Sequence, residues 1–340
     1  MVNKLLNINA EKRTPIYLQI VESITDAIRR GNYKKGDRIY SINELSNEYF
    51  LARDTVQKAY NILHEKGIII SVKGKGYYVN ETNIDATFRV LLLFSKISNY
   101  KKQIYNAFVN TIGKNAVVDI KIHHFNTGIL KEHIENHLFD YDYFVIMPHF
   151  YDDPAEALKV IKTIPTDQLI ILDKNIPYSD LKCGAVYQDF QNDIVDALEQ
   201  GLDLLKKYDK LLLVYPHNES YSPDIQMGFR KFCMQNNFKF EVIAEVNEST
   251  EVKSGEAYIV IEENDLCAII KKARANGLEI GKNLGIVSYN DSPLKEILLD
   301  GITVMTTDHA KMGETAARLI LENSKDKIKN PFVLIRRKSL

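Results

Sequence analysis

The sequence predicts an α/β chain in two parts: a helix-turn-helix with a basic β-wing over residues 1–79, then a larger domain built on a doubly wound parallel sheet. Three observations predict this. Ser41 and Glu44 open a short helix that a tight connection joins to a second amphipathic helix and a Lys/Gly-rich hairpin. From Phe88 onward, apolar runs of four to five residues alternate with segments of helical period, the pattern of strands buried on both faces. Charge divides unevenly as well. Residues 1–80 carry 13 Lys and Arg against 8 Asp and Glu, whereas the remaining 260 carry 31 against 37, so the basic excess sits with the helices and wing.

Within the first part, Thr14-Pro15 predicts an N-cap with Pro in the first turn of a helix over residues 15–30, stopped by Gly31. The basic stretch Tyr33 to Arg38 suits a path along phosphates. Ser41 and Glu44 form a capping box, and Leu45, Val56, Tyr60 and Leu63 supply the stripe that packs two short helices together. That packing leaves Arg53, Thr55, Gln57 and Lys58 on the outer face of the second helix, where hydrogen-bonding groups can read base edges. Gly67 stops the helix, and Ile68–Val72 and Tyr77–Val79 read as a hairpin with Lys73-Gly74-Lys75-Gly76 at its tip.

The segments P-I-Y-L-Q-I, S-I-N-E-L-S, R-D-T-V-Q-K-A-Y-N-I-L and G-K-G-Y-Y-V, spread over residues 14–79, resemble the winged helix-turn-helix of the GntR family. Tyr40 stands where that family usually has Pro, and Asn43 and Gln57 where it often has Arg; Asn and Gln suit adenine. The resemblance implies double-stranded operator DNA as partner. Its candidate contacts are Arg38, Ser41, Asn43, Arg53, Asp54, Thr55, Gln57 and Lys58, with Lys73, Gly74, Lys75 and Gly76 in the wing.

Residues 80–87 are polar and read as a linker. Beyond it, strands are predicted at Val90–Phe94, Tyr143–Met147, Leu169–Leu172, Leu211–Tyr215, Ala257–Ile261 and Gly285–Ser288. Ligands of open α/β sheets bind beyond the carboxyl ends of the strands, and the residues there are polar: Ser95-Lys96 and Asn99, His149, Asp173-Lys174, Tyr221, Glu262-Glu263-Asn264-Asp265 and Tyr289-Asn290-Asp291, of which Ser95, Asn99, His149, Asp173, Tyr221, Asn264 and Asn290 are the candidate contacts. Charged and amide groups that each hold two hydroxyls, with an aromatic face beside them, suit a monosaccharide. The order of these segments, with L-I-I-L-D, V-Y-Q-D, Q-M-G-F-R, L-G-I-V-S-Y-N-D-S-P and I-T-V-M-T-T-D-H-A-K-M-G, is similar to the sensor domain of the LacI family over residues 88–340. That resemblance implies a two-lobed, periplasmic-binding-protein-like fold, a homodimer, and effector contacts that add Tyr187 and Thr307 to the set.

No apolar run reaches membrane-spanning length and no signal-peptide pattern opens the chain, so a cytoplasmic protein is expected. Cys183, Cys233 and Cys267 are isolated, and His133 and His137 lack a third ligand, so neither a disulfide framework nor a metal site is expected, and no cofactor. No Gly-x-Gly-x-x-Gly follows a strand, and no Walker loop, Gly-x-Ser-x-Gly or His-Glu-x-x-His occurs, which argues against an enzyme. The expected function is a ligand-responsive transcriptional regulator of the arabinose-repressor-like type, repressing carbohydrate-utilisation genes. A regulator sensing an amino acid or nucleobase is the alternative, and an α/β enzyme with an accessory DNA-binding domain the more remote one.

Overall fold

Helices as short as those of the N-terminal part are marginal in water, so a shared core must hold them. The computed structural model describes residues 8, 14–29, 31–81, 88–138, 140–150, 152–176, 180–216 and 221–340. Its first compact unit runs α1 (Ile16–Arg29), β1 (Arg38–Ile39), α2 (Ile42–Tyr49), α3 (Arg53–Glu65), β2 (Ile69–Val72) and β3 (Gly76–Val79). Ile20 and Ile24 from α1, Leu45 from α2, Val56 and Leu63 from α3 and Ile69 from β2 are all fully buried in one cluster. Each such side chain contributes about 1.5–3 kcal/mol by leaving water. Tyr60 closes the cluster, its hydroxyl donating to the Tyr40 carbonyl at 2.5 Å and its ring meeting Tyr77 edge-on at 4.8 Å.

The strands form an antiparallel sheet in the order β1-β3-β2, with Ile69 opposite Val79 and Val72 opposite Gly76. β1 pairs Arg38 with Tyr78 and gives no sequence signal, being two residues long. The start of α1 differs from expectation by one residue. The Pro15 carbonyl accepts from the Leu18 and Gln19 amides at 3.0 and 3.2 Å, so Pro15 and not Thr14 stands at the cap position. Of the expected linker, residues 82–87 lie outside the described residues.

The second unit has two lobes, each a six-stranded sheet. The chain enters the first through β4 (Phe88–Phe94), α4 (Asn99–Ile112), β5 (Ala116–Ile122), α5 (Thr127–His137), β6 (Tyr143–Ile146), α6 (Pro154–Ile161), β7 (Leu169–Lys174) and β8 (Gly184–Gln188). It crosses to the second through α7 (Phe190–Gln200), α8 (Leu202–Leu205), β9 (Lys210–Val214), α9 (Pro223–Gln235), β10 (Lys239–Ile243), β11 (Glu256–Val260), α10 (Glu263–Ala275), β12 (Leu284–Tyr289), α11 (Pro293–Ile297) and β13 (Thr303–Thr307). Then α12 (His309–Leu321) and β14 (Lys327–Lys329) return to the first lobe, and β15 (Phe332–Ile335) ends in the second. The sheet orders are β14-β8-β7-β6-β4-β5 and β10-β9-β11-β12-β13-β15.

Three crossings therefore join the lobes: Gln188–Phe190, Thr307–His309 and Lys329–Phe332. The third explains the one departure from a parallel sheet. β14 runs parallel to β8, so its end arrives at the carboxyl ends of the strands, and a chain entering the second sheet from that side must run antiparallel to β13. Close helix packing needs glycine at matching places in the two halves. A Cβ at Gly313 of α12 would stand 2.2 Å from the Ile104 carbonyl oxygen of α4, and one at Gly228 of α9 would stand 2.4 Å from that of Gln191 in α7.

Candidate functional sites

In the first unit, the capping box forms as expected: the Glu44 amide donates to Ser41 Oγ at 3.2 Å and the Ser41 amide to Glu44 Oε2 at 2.6 Å. It fixes α2 against α3, whose first turn then projects Arg53 and Asp54 into solvent, with Lys58 exposed one turn further on. Thr55 and Gln57 are half-buried, and Gln57 donates to Asn61 Oδ1 at 2.9 Å. The Lys58 ammonium rests 4.0 Å above the Tyr17 ring. Asn43 is exposed on α2, while Arg38 spends its guanidinium on Glu44 at 3.0 Å and Ser41 spends its hydroxyl on the cap. At the wing, Lys73, Gly74 and Lys75 are exposed, and Gly74 and Gly76 take φ of +75° and +105°, the left-handed backbone that a side chain would strain.

One residue of this face escaped the sequence reading. Phe50 caps α2 with φ of +53° and is 95% exposed, in the turn that leads to Arg53. Its signal was available: an aromatic residue stands where a tight turn favours Gly or Asn.

The second unit holds a cavity of about 850 Å³ at the carboxyl ends of both sheets, and the crossing residues Gln188, Phe190 and His309 line it. Seven of the nine expected effector residues line this cavity: Ser95, Asn99, His149, Asp173, Tyr221, Asn264 and Asn290. Asp173, at the end of β7 with φ of +74°, accepts from His149 Nε2 at 2.9 Å and from Gln188 Nε2 at 2.5 Å. Burial opposes its ionisation, but these bonds and the charge of Lys101 outweigh burial and hold the carboxyl well below the usual carboxylate range. Burial pulls the His149 imidazole down, more than the bond to and the charge of Asp173 raise it. Neither Asp173 nor Asn290 simply ends its strand. Asn290 has φ of +60° and is held by neighbours: buried Lys295 donates to the Tyr289 and Asn290 carbonyls, both at 2.9 Å, and Arg337 grips Asp291 with two bonds of 2.8 and 2.7 Å.

The other two, Tyr187 and Thr307, are not among the residues that line the cavity. In the parallel register Asp173 stands opposite Tyr187 and Lys174 opposite Gln188, yet the left-handed backbone of Asp173, with φ of +74°, turns its carboxylate to Gln188. Tyr187 and Thr307 are both bonded to Asn330 of the third crossing. The Asn330 amide donates to the Tyr187 carbonyl at 2.7 Å, Asn330 Nδ2 donates to Thr307 Oγ1 at 2.8 Å, and Thr307 Oγ1 donates to the Pro331 carbonyl at 3.1 Å. The three crossings are thus bonded to one another. Lys96, Glu262 and Tyr289, which follow the strands in sequence, also line the cavity, as do Lys101 and Gln188, which sequence reasoning missed. Tyr221 donates its hydroxyl to Glu262 Oε1 at 2.8 Å, and the Lys96 ammonium stands 5.6 Å above the Tyr221 ring. Gln188 is buried, and its Oε1 has no hydrogen-bond partner among the described residues. Among those residues no group of three or more His, Cys, Asp and Glu is arranged to hold a metal ion, and no helix is long and apolar enough to cross a membrane.

Known proteins match each part separately. The family model of bacterial regulatory proteins of the gntR family matches residues 16–79, and that of the periplasmic binding protein-like domain matches residues 205–339. The chain is 29% identical over 106 residues to the HTH-type transcriptional repressor YtrA of Bacillus subtilis (strain 168), a match covering 31% of this chain and 78% of that protein. It is 37% identical over 71 residues to the mannosyl-D-glycerate transport/metabolism system repressor MngR of Escherichia coli (strain K12), covering 21% of this chain and 30% of that relative's length. A solved structure of a dimeric Lac repressor shares the fold, with a TM-score of 0.60 at 17% identity over 74% of this chain and 98% of that one. Residues 16–79 are a DNA-binding domain of the bacterial gntR regulatory family, and the chain joins it to a periplasmic-binding-protein-like domain.

Proposed function

We propose that this protein is a transcriptional repressor of carbohydrate-utilisation genes whose operator affinity is altered by a monosaccharide bound between the two lobes of its second domain. The observation that carries this reading is the cavity's place and lining: it lies where three bonded crossings join the lobes, and Asp173, Asn264, Asn290 and Glu262 offer paired acceptors and amides beside Tyr221. A ligand touching both lobes favours one lobe angle over others, and that difference in affinity between states is the whole of its regulatory power. The relatives add support: MngR is named for a sugar-derivative transport and metabolism system, and the Lac repressor of like fold is dimeric.

The mechanism follows from geometry. Two copies present two α3 helices to half-sites about 34–36 Å apart, one turn of DNA, so a small change of lobe angle misplaces one helix relative to the other. Arg53 and Lys58 supply contacts from α3, and Lys73 and Lys75 reach the backbone from the wing. The protein acts by binding and performs no catalysis. A thermal-shift screen of the full chain against neutral monosaccharides, amino acids and nucleobases tests the reading. A stabilising sugar at 100 times its dissociation constant adds about 2.7 kcal/mol. Stabilisation by an amino acid or a nucleobase and by no sugar would replace the sugar reading.

A further inference from the structure

Charge in the cavity is segregated. Lys96 and Lys101 come from the first lobe, and Glu262 and Glu263 face them from the second. Lys101 is partly buried, and its ammonium donates to Ser95 Oγ, leaving two of its three N–H groups to find acceptors. Among the described residues no carboxylate comes within ion-pairing distance of Lys101 or Lys96. Asp173 is the first-lobe carboxylate in the lining, and both its oxygens are engaged, one by His149 and one by Gln188. Lys101 feels the charge of Asp173 only at a distance, and burial together with neighbouring Lys96 pulls its ammonium down to about 8. A sunken ammonium without a paired counter-charge is costly, and a ligand can supply what the protein withholds.

The backbone at the same place has the same preference. Lys101 lies in the first turn of the 14-residue α4, capped by Ser98, where helix amides and the helix dipole favour negative charge. Resting on the reading of this cavity as the effector site, we propose that the effector is an acidic sugar whose oxyanion, a carboxylate or a phosphate, seats between Lys101 and Lys96 at the start of α4. Its hydroxyls then face Glu262 and Asn290, since the carboxylates of the second lobe repel the oxyanion and accept from hydroxyls. A neutral sugar would satisfy the second lobe and leave the Lys101 ammonium unpaired.

Calorimetry and thermal shift on the full chain decide this, with inorganic phosphate, D-glucose, D-glucuronate and D-glucose 6-phosphate as probes, for the parent, Lys101→Met and Lys101→Arg. Millimolar inorganic phosphate should stabilise the parent and Lys101→Arg but not Lys101→Met. An acidic sugar should bind the parent at least about tenfold tighter than glucose does, the glucuronate and glucose 6-phosphate arms separating carboxylate from phosphate, and Lys101→Met should erase that preference. Inorganic phosphate without effect on the parent, or with an effect that survives Lys101→Met, overturns the proposal. So does a neutral monosaccharide that binds parent and Lys101→Met equally, an outcome that leaves the sugar reading standing. Phosphate stabilisation through Lys101, with no sugar of either kind binding, keeps the anion seat and overturns the sugar reading instead.

Discussion

The reading face of the first unit and the cavity of the second hold their ionisable side chains in opposite states of solvation. Arg53, Lys58, Lys73 and Lys75 stand in water, whereas Asp173 and His149 are sunk and already bonded to each other at 2.9 Å. Exposed cations gain on DNA by releasing counterions, so their worth depends on salt. The sunken groups gain by being held in place before the ligand arrives, so their worth depends on burial and protonation. The two regions should therefore respond differently to the same kinds of change.

The largest effect is expected at Asp173. Asp173→Ala strips His149 and Gln188 of their acceptor as well as removing the effector's, and charge-assisted bonds of this kind contribute about 1.5–3 kcal/mol each. Effector affinity by calorimetry should fall at least about tenfold while operator binding stays at the parent's level. Binding within about threefold of the parent would reduce Asp173 to a structural role.

Next come the reader's cations. Arg53→Ala should cost about 1–3 kcal/mol at the operator and relax base preference, whereas Lys75→Ala should weaken all sequences alike and reduce the salt slope by about one. Electrophoretic shifts at two salt concentrations separate them, and unchanged operator affinity in Arg53→Ala would break the assignment of α3 as the reading helix.

The comparison sharpens with pH. The ammonium of Lys101, depressed to about 8 from 10.5, faces Asp173 and Lys96, with His149, His123 and His309 near it. Between those values the unfolded chain keeps the proton that the folded chain has lost, so the unliganded protein should gain stability as pH rises through that window. Affinity for an acidic effector should run the other way and fall as pH climbs through about 8, while the salt dependence of operator binding stays nearly constant there. Thermal melts and calorimetry at stepped pH read both slopes.

The smallest effect is expected at Phe50. A non-glycine residue at φ of +53° is strained, and its 95% exposed ring gains nothing from the core. Phe50→Gly should raise the stability of the first unit by up to about 1 kcal/mol, read by denaturant unfolding. A loss of stability would mean that the ring packs in solution.

Legibility in the sequence followed the same divide. The capping box, the apolar stripe and the six core strands are local signals, and they were readable because each depends on neighbours within a few residues. The edge strands Ala116–Ile122 and Lys239–Ile243 were missed because charges interrupt their apolar pattern. The crossings were missed because Asn330 meets Tyr187 and Thr307 only after the chain has passed between the lobes twice and begun a third passage. Gln188 was not singled out because the strand register sets Asp173 opposite Tyr187, and only the left-handed backbone at Asp173, which no local pattern announces, brings its carboxylate to Gln188. Lys101 was invisible for a related reason: nothing local distinguishes a lysine in a helix's first turn that faces a cavity from one that faces water.

The central claim is that one chain couples a ligand in the cavity to the spacing of two reading helices. The direct measurement is operator affinity of the full chain, on an operator selected from genomic fragments, titrated with a sugar found to stabilise the parent. Operator affinity should change by at least about fivefold at saturating sugar in the parent and stay constant in Asp173→Ala. An affinity that the sugar leaves unchanged in the parent, although the sugar binds, would contradict the coupling.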